Sequence, residues 1–181
     1  DSIDFAGSTV TITEAGDMSI AASEATGALS LMSSTGTISQ TGRIDAGNIS
    51  SFTTSTNDKV INLGNTSNAL TGAVAFTTGG TAGNVTIDNG TTALDLAAST
   101  ISGTLKATGG ATAGIVDSGN VAVAGDVTLT TDANNGVINL NTLQQSAGDL
   151  VLTTNGTGDA TVVNNAAIDF GTSSVGGNLN A

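Results

Sequence analysis

The sequence predicts an all-β chain folded as one continuous single-stranded parallel β-helix, or β-solenoid, of roughly seven to nine coils. Three observations carry this reading. The strand signals are short and alternate apolar with polar residues, tight hairpin turns are scarce, and the chain resembles itself at a long, nearly fixed period.

The strand signal comes first. Ser2-Ile3-Asp4-Phe5, Val85-Thr86-Ile87-Asp88, Val121-Ala122-Val123, Val127-Thr128-Leu129 and Leu150-Val151-Leu152 each place two apolar residues two positions apart. A period of two puts both on one face and the residue between them on the other. Each segment is bounded by Gly, Asn, Asp or Ser-Thr clusters that favour turns. No helical stripe of useful length is present. The nearest candidate, Asp17 to Leu31, reads equally well as two strands around Ser23-Glu24-Ala25-Thr26-Gly27.

Self-similarity is the stronger signal. Ile38 to Leu63 matches Ile115 to Leu140 without a gap, at an offset of 77. The offset shrinks to 76 for Val74 and Phe76 against Leu150 and Leu152, and to 75 for Val85 and Ile87 against Ala160 and Val162. It reaches 74 for Leu94, Leu96, Ile101 and Leu105 against Ile168, Phe170, Val175 and Leu179. The lost residues fall between strands, where length changes are tolerated. The expected organisation is a partial copy with an extra rung over about 1–35, then copies over 36–112 and 113–181. Asn89-Gly90 and Asn155-Gly156 are the obvious hairpin dipeptides, but neither lies tightly between alternating runs. Stacked coils of about 20–25 residues satisfy both the repeat and the missing hairpins. Thr-Thr pairs after Phe52, Phe76, Leu129 and Leu152 are then expected to form one ladder at the strand exit, their hydroxyls meeting buried turn carbonyls.

Gly36-Thr37-Ile38-Ser39-Gln40-Thr41-Gly42, Val60-Ile61-Asn62-Leu63, Asn68-Ala69-Leu70-Thr71-Gly72-Ala73-Val74 and Thr172-Ser173-Ser174-Val175-Gly176-Gly177-Asn178-Leu179 resemble the repeat region of filamentous-haemagglutinin-type adhesins. Similar repeats occur in autotransporter passengers of Gram-negative bacteria. The resemblance implies a right-handed β-helix, export, and an extracellular or cell-surface setting, and it carries over no catalytic residue. Arg43 is followed by Ile44, so the Arg-Gly-Asp tripeptide of some adhesins is missing.

Composition narrows the chemistry. The 181 residues contain no Cys, His, Pro, Trp or Tyr, and 10% are charged against about 25% in an average domain. An imidazole base, a thiolate nucleophile and a transition-metal site of N or S ligands are therefore unavailable. The 3 basic residues, Arg43, Lys59 and Lys106, and a net charge of −12 argue against nucleic acid. No apolar run is long enough to insert in a membrane. The 38% hydrophobic content argues against disorder. Because the chain starts at Asp1 without Met or a signal sequence, it is expected to be a piece of a longer secreted protein.

The carboxylates are the remaining candidates. Asp4, Asp95 and Asp169 take the same outward place between paired apolar residues, but at least one long repeat apart, which fits a solvated face better than a glycosidase pair. Gly156-Thr157-Gly158-Asp159-Ala160-Thr161-Val162 imitates one glycine-aspartate calcium nonapeptide without a second copy in tandem. Only weak, nonspecific calcium binding is expected at Asp159, Asp4, Asp95 and Asp169, with no cofactor, no catalytic residue and no dedicated metal site. The sequons at Asn48, Asn65, Asn84, Asn89 and Asn155 are what chance supplies in an Asn- and Thr-rich chain. Glycine pairs Gly79-Gly80 and Gly109-Gly110 lack the residues of a phosphate loop.

The functional expectation is a structural shaft or filament, with end-to-end stacking on a continuing chain or a second copy. The alternative is an adhesin module that binds glycan or matrix protein through its longest turns, near Ser55 to Lys59 and Asp132 to Gly136. A polysaccharide-active enzyme lacks sugar-stacking Trp and Tyr. An ice-binding surface would need outward Thr at alternate positions, as in Thr11-Ile12-Thr13, whereas most Thr here come as adjacent pairs that point to opposite faces.

Overall fold

A computed structural model describes residues 2–181, and those residues contain strands and turns but no helix. Every strand pairing among them is parallel, as the scarcity of hairpins requires. The register on one side runs from Met18 to Ile38, Ile61, Val85, Leu105, Val127, Leu150 and Phe170, in steps of 20 to 24. The chain is a β-solenoid of about 8 turns.

Each coil has three sides. Side one is the eight-stranded sheet from Met18–Ile20 to Asp169–Phe170. Side two in the lower coils is a four-stranded sheet of Ala6–Gly7, Ser23–Ala25, Ile44–Ala46 and Ala69–Leu70. Side three carries Val10–Glu14, Leu29–Ser33, Ser50–Asn57, Val74–Gly79, Ser99–Ile101 and Val121–Val123. Above Val74–Gly79, side two is rebuilt by Leu94–Leu96, Ile115–Asp117 and Ala160–Asn164. Its first strand overlaps side three, where Leu96 pairs with Val74. Strand Ile138–Gln145 turns the corner between sides two and three, with a register break between Leu140 and Leu143.

The alternation in the sequence sets what faces inward. Leu29, Leu31, Phe52, Phe76, Ile138, Leu140, Leu150 and Leu152 are buried, while Ser30, Ser51, Ala75, Asn139 and Val151 between them point outward. Stacking makes ladders from these positions: Leu31, Phe52 and Phe76 lie directly over one another. The Phe52 and Phe76 rings stack with centroids 5.8 Å apart, within the favourable range for aromatic pairs. One connection expected in the sequence is itself a strand. Ser23–Ala25 pairs on both sides, because Ser23 and Ala25 are small enough to point into the narrow interior and leave Glu24 outside.

Strand length is redistributed along the solenoid. In the lower coils the strands of five or more residues are on side three: Val10–Glu14, Leu29–Ser33, Ser50–Asn57 and Val74–Gly79. In the upper coils Leu105–Gly109, Val127–Thr131 and Asp149–Thr153 put strands of five residues on side one as well, beside the longer Ile138–Gln145 at the corner of sides two and three and Ala160–Asn164 on side two.

Candidate functional site

The four carboxylates singled out in the sequence are not brought together. Asp4 is exposed on the first coil, and Asp95 lies several coils further along the solenoid beside Val116. Against the expectation of a solvated place, Asp95 is half-buried, and its Oδ1 is covered without a hydrogen-bond partner. Asp169 is exposed and stacks on Asp149 near the other end. Asp159 Oδ1 accepts bonds from the backbone N–H and the side-chain amide of Asn178, 2.6 and 3.2 Å away. Among the described residues no three Asp or Glu side chains form a group able to hold a metal ion.

What the outward carboxylates and amides do instead is tie one coil to the next. Asp17 Oδ1 accepts the Thr37 N–H at 2.8 Å. Asp58 Oδ1 accepts both Thr81 and Ala82 N–H groups at 2.7 and 2.8 Å. Asp117 accepts from Asn141 N–H through one oxygen and from Thr142 N–H and Oγ1 through the other. Asn84 and Asn135 bond to the amides of Thr104 and Thr157 in the same manner. A carboxylate that accepts amide hydrogen bonds is stabilised in its charged form. The Thr37 amide accordingly holds Asp17 below the usual aspartate value, and the Thr81 and Ala82 amides do the same for Asp58.

The corner at Asp58 is unusual in backbone as well. Among the described residues, Asp58 and Asn135 are the non-glycine positions with positive φ, 61° and 62°. In the coil above each sits a glycine with positive φ, Gly80 at 89° and Gly156 at 65°. A β-carbon on either glycine would overlap the Oδ1 below it. The sequence predicts turns at both places, but strand Ser50–Asn57 runs on through Ser55 and Thr56, so the first bend begins only at Asp58. The second, over 132–136, is a true connection.

Inside the coils the polar groups are paired. Thr54, Thr78, Thr131 and Thr154 donate to the carbonyls of Lys59, Gly83, Gly136 and Gly158, over 2.7 to 3.2 Å. The hydroxyl-to-turn bond expected from the Thr-Thr pairs is therefore present, but as two ladders rather than one. Thr53 stacks under Thr77 on side three, and Thr130 under Thr153 on side one. The split arises because Leu129 and Leu152, which match Phe52 and Phe76 in sequence, lie on side one and not on side three.

Sequence reasoning missed the buried amides. Asn68 is 1% exposed; its Oδ1 accepts the Ile44 N–H and its Nδ2 donates to the carbonyls of Leu63 and Asp88. Asn89 likewise bonds both backbone groups of Leu70. Gln145 and Asn164 form the corresponding pair of rungs higher up. The signal was available, since Asn68 and Gln145 fall at the offset of 77, and Asn89 and Asn164 at that of 75. These side chains complete the ladder where a corner interrupts strand pairing.

Concavities are shallow. The most apolar, about 170 Å³, is on side three and is lined by Thr9, Val10, Ala28, Leu29, Ile49 and Ala75. Ile49 at its rim is 52% exposed. Neither this depression nor the larger one near Ala122 and Asn165 has a charged residue in its lining.

No curated protein and no solved structure matches the chain. The family model described as repeats of unknown function (DUF5649) matches twice in tandem, over residues 7–77 and 82–154. The first match begins just before Val10–Glu14 of side three, and the second just before Val85–Asp88 of side one. A repeating, parallel-stacked chain whose two matched segments cover most of its length belongs to the DUF5649 repeat family.

Proposed function

We propose that the chain is a segment of the shaft of a large secreted bacterial fibre, at the cell surface or outside the cell, in the manner of filamentous-haemagglutinin-type and autotransporter passenger repeats. Its work is mechanical continuity, not catalysis. The observation that supports this most directly is the unbroken ladder on side one, from Met18–Ile20 to Asp169–Phe170, in which each interior strand is bonded above and below. Side-chain bridges between coils reinforce it at the corners.

The partner along the axis is further solenoid, whether the same polypeptide or a second copy. The pairing favours this, because every strand pairing among the described residues is parallel and the register that joins one coil to the next can join a further one. An end coil with unpaired N–H and C=O groups templates another strand. With 15 acidic side chains against 3 basic ones, flanks repel, so growth along the axis is preferred over lateral clumping.

Stretching single molecules between their ends tests the shaft. A shaft resists and then releases in cooperative multi-coil steps, whereas loss of one coil at a time under forces near thermal noise would refute the reading. The same segment on a glycan array and on host cells tests recognition. Binding as strong as that of a full-length parent would replace the shaft by an adhesin module.

A further inference from the structure

The family repeat and the coil have different lengths, and the mismatch decides how the repeat is displayed. Copies lie at offsets of 74 to 77 in sequence, while the coil register advances in steps of 20 to 24. One repeat is therefore three coils and one side.

One serine shows this around the whole circumference. Ser23 on side two accepts the Phe5 N–H through Oγ at 3.1 Å. Its counterpart in the next copy, Ser99, lies on side three and accepts the Phe76 N–H at 3.0 Å. The counterpart in the copy after that is Ser173, which accepts the Leu152 N–H of side one at 3.0 Å. Ser99 and Ser173 also donate to the carbonyl two residues before them, Ala97 and Gly171. The same bridge is thus made on sides two, three and one in succession.

Outer features follow. The outward Thr53, Thr77 and Thr100 stack on side three. The counterparts of Thr53 and Thr77 are Thr130 and Thr153, which stack on Thr108 on side one. The Asp58 bend with Gly80 above it is at the corner leaving side three; the Asn135 bend with Gly156 above it is at the corner leaving side one.

We infer that the repeat is displayed as a spiral, each copy one side further round the shaft, so that the protein has no single binding side. A rigid flat ligand meets one copy and then loses the pattern. A flexible polymer that winds round the shaft, or separate partners approaching from different directions, meets every copy. This concerns display alone and does not depend on whether the shaft bears load.

The chain has no cysteine, so labels can be placed at will. Thr130 and Gln144 lie on the same coil, on sides one and three, and Thr53 lies on side three. The pairs T53C/T130C and T53C/Q144C therefore have about the same axial separation, roughly four coils or ~19 Å. A domain-sized protein is about 30 Å across. After biotinylation and addition of monovalent streptavidin, native mass spectrometry should count two bound molecules on T53C/T130C and one on T53C/Q144C, with one on each single variant. Equal counts for the two pairs would overturn the inference. Stretching data cannot produce that result, so its failure is distinct from failure of the shaft reading.

Discussion

Replacing Phe52 by Ala tests the stacked core where it is densest. Phe52 is fully buried, lies in register between Leu31 and Phe76, and stacks on the Phe76 ring at 5.8 Å. Removing a buried Phe side chain costs about 3–5 kcal/mol, and the lost aromatic pair accounts for about 0.5–1.5 kcal/mol more. The neighbouring coils cannot close the gap, because their spacing is fixed by strand hydrogen bonds near about 4.8 Å. The upper part of the range, about 4–5 kcal/mol, is therefore expected. The neighbour Thr53 points outward, and Thr53→Lys should change stability by no more than about 0.5 kcal/mol. Urea unfolding followed by far-ultraviolet circular dichroism measures both. With a slope of about 2 kcal/mol per molar, F52A should lower the midpoint by about 2 M and T53K by less than about 0.3 M. Similar shifts for the two would refute the inside-outside assignment. A change of slope in F52A would show that single coils melt separately.

Three further outcomes follow from the same geometry. Ile138→Asp buries an unpaired carboxylate at a 1% exposed position and should cost several kcal/mol, whereas Thr128→Lys on the outer face should be near neutral; equal midpoints would contradict the ladder. Asn68→Leu leaves the Ile44 N–H and the Leu63 and Asp88 carbonyls unpaired inside and should cost about 1–3 kcal/mol for each stranded group; a neutral or stabilised variant would mean that corner amides carry no weight. Asp17 and Asp58 have folded pKa values below the ordinary 3.8, so their contribution is fully present above the unfolded value and is lost as pH falls through the folded ones. The thermal midpoint should therefore drop below about pH 4. D58N, which keeps the acceptor oxygen as Asn135 does naturally, should drop less, and an unchanged pH profile in that variant would show that the bridge is not titrating.

Much of this was legible in the chain. Alternation at Val85-Thr86-Ile87 and Leu150-Val151-Leu152 gives the buried and outward positions directly, because a parallel coil offers each side chain only those two places. The long offset gives the repeat. What the offset alone does not give is the coil, since Ile38 and Ile115 match in sequence yet sit on different sides. That is why the Thr-Thr pairs read as one ladder when they form two. Asn68 and Gln145 were hidden for another reason. Polar residues in a polar, Asn-rich turn look solvated, and their burial depends on a corner geometry set by neighbouring coils far off in sequence. The carboxylates show the reverse case: Asp159 stands out in sequence as a calcium candidate, and what it binds is the Asn178 amide of the next coil.

The fractional advance also bears on how such a chain finds its register. In a solenoid of identical coils, slipping by one coil replaces each contact with an equal one, and register is weakly specified. Here stacked neighbours are never repeat counterparts. Leu129 lies between Ala107 and Leu152, while the residue it matches in sequence, Phe52, is on another side. A one-coil slip would set Phe76 against Leu31 and leave Phe52 without its ring partner. It would also separate Asn89 from Leu70 and Asp58 from the amides of Thr81 and Ala82. To recover like-for-like contacts the chain must move by three coils and rotate by one side, which breaks every bond on the way. Three inequivalent coils per repeat thus penalise the near misalignments that a simple repeat would tolerate, while the same family repeat still builds successive stretches of the solenoid.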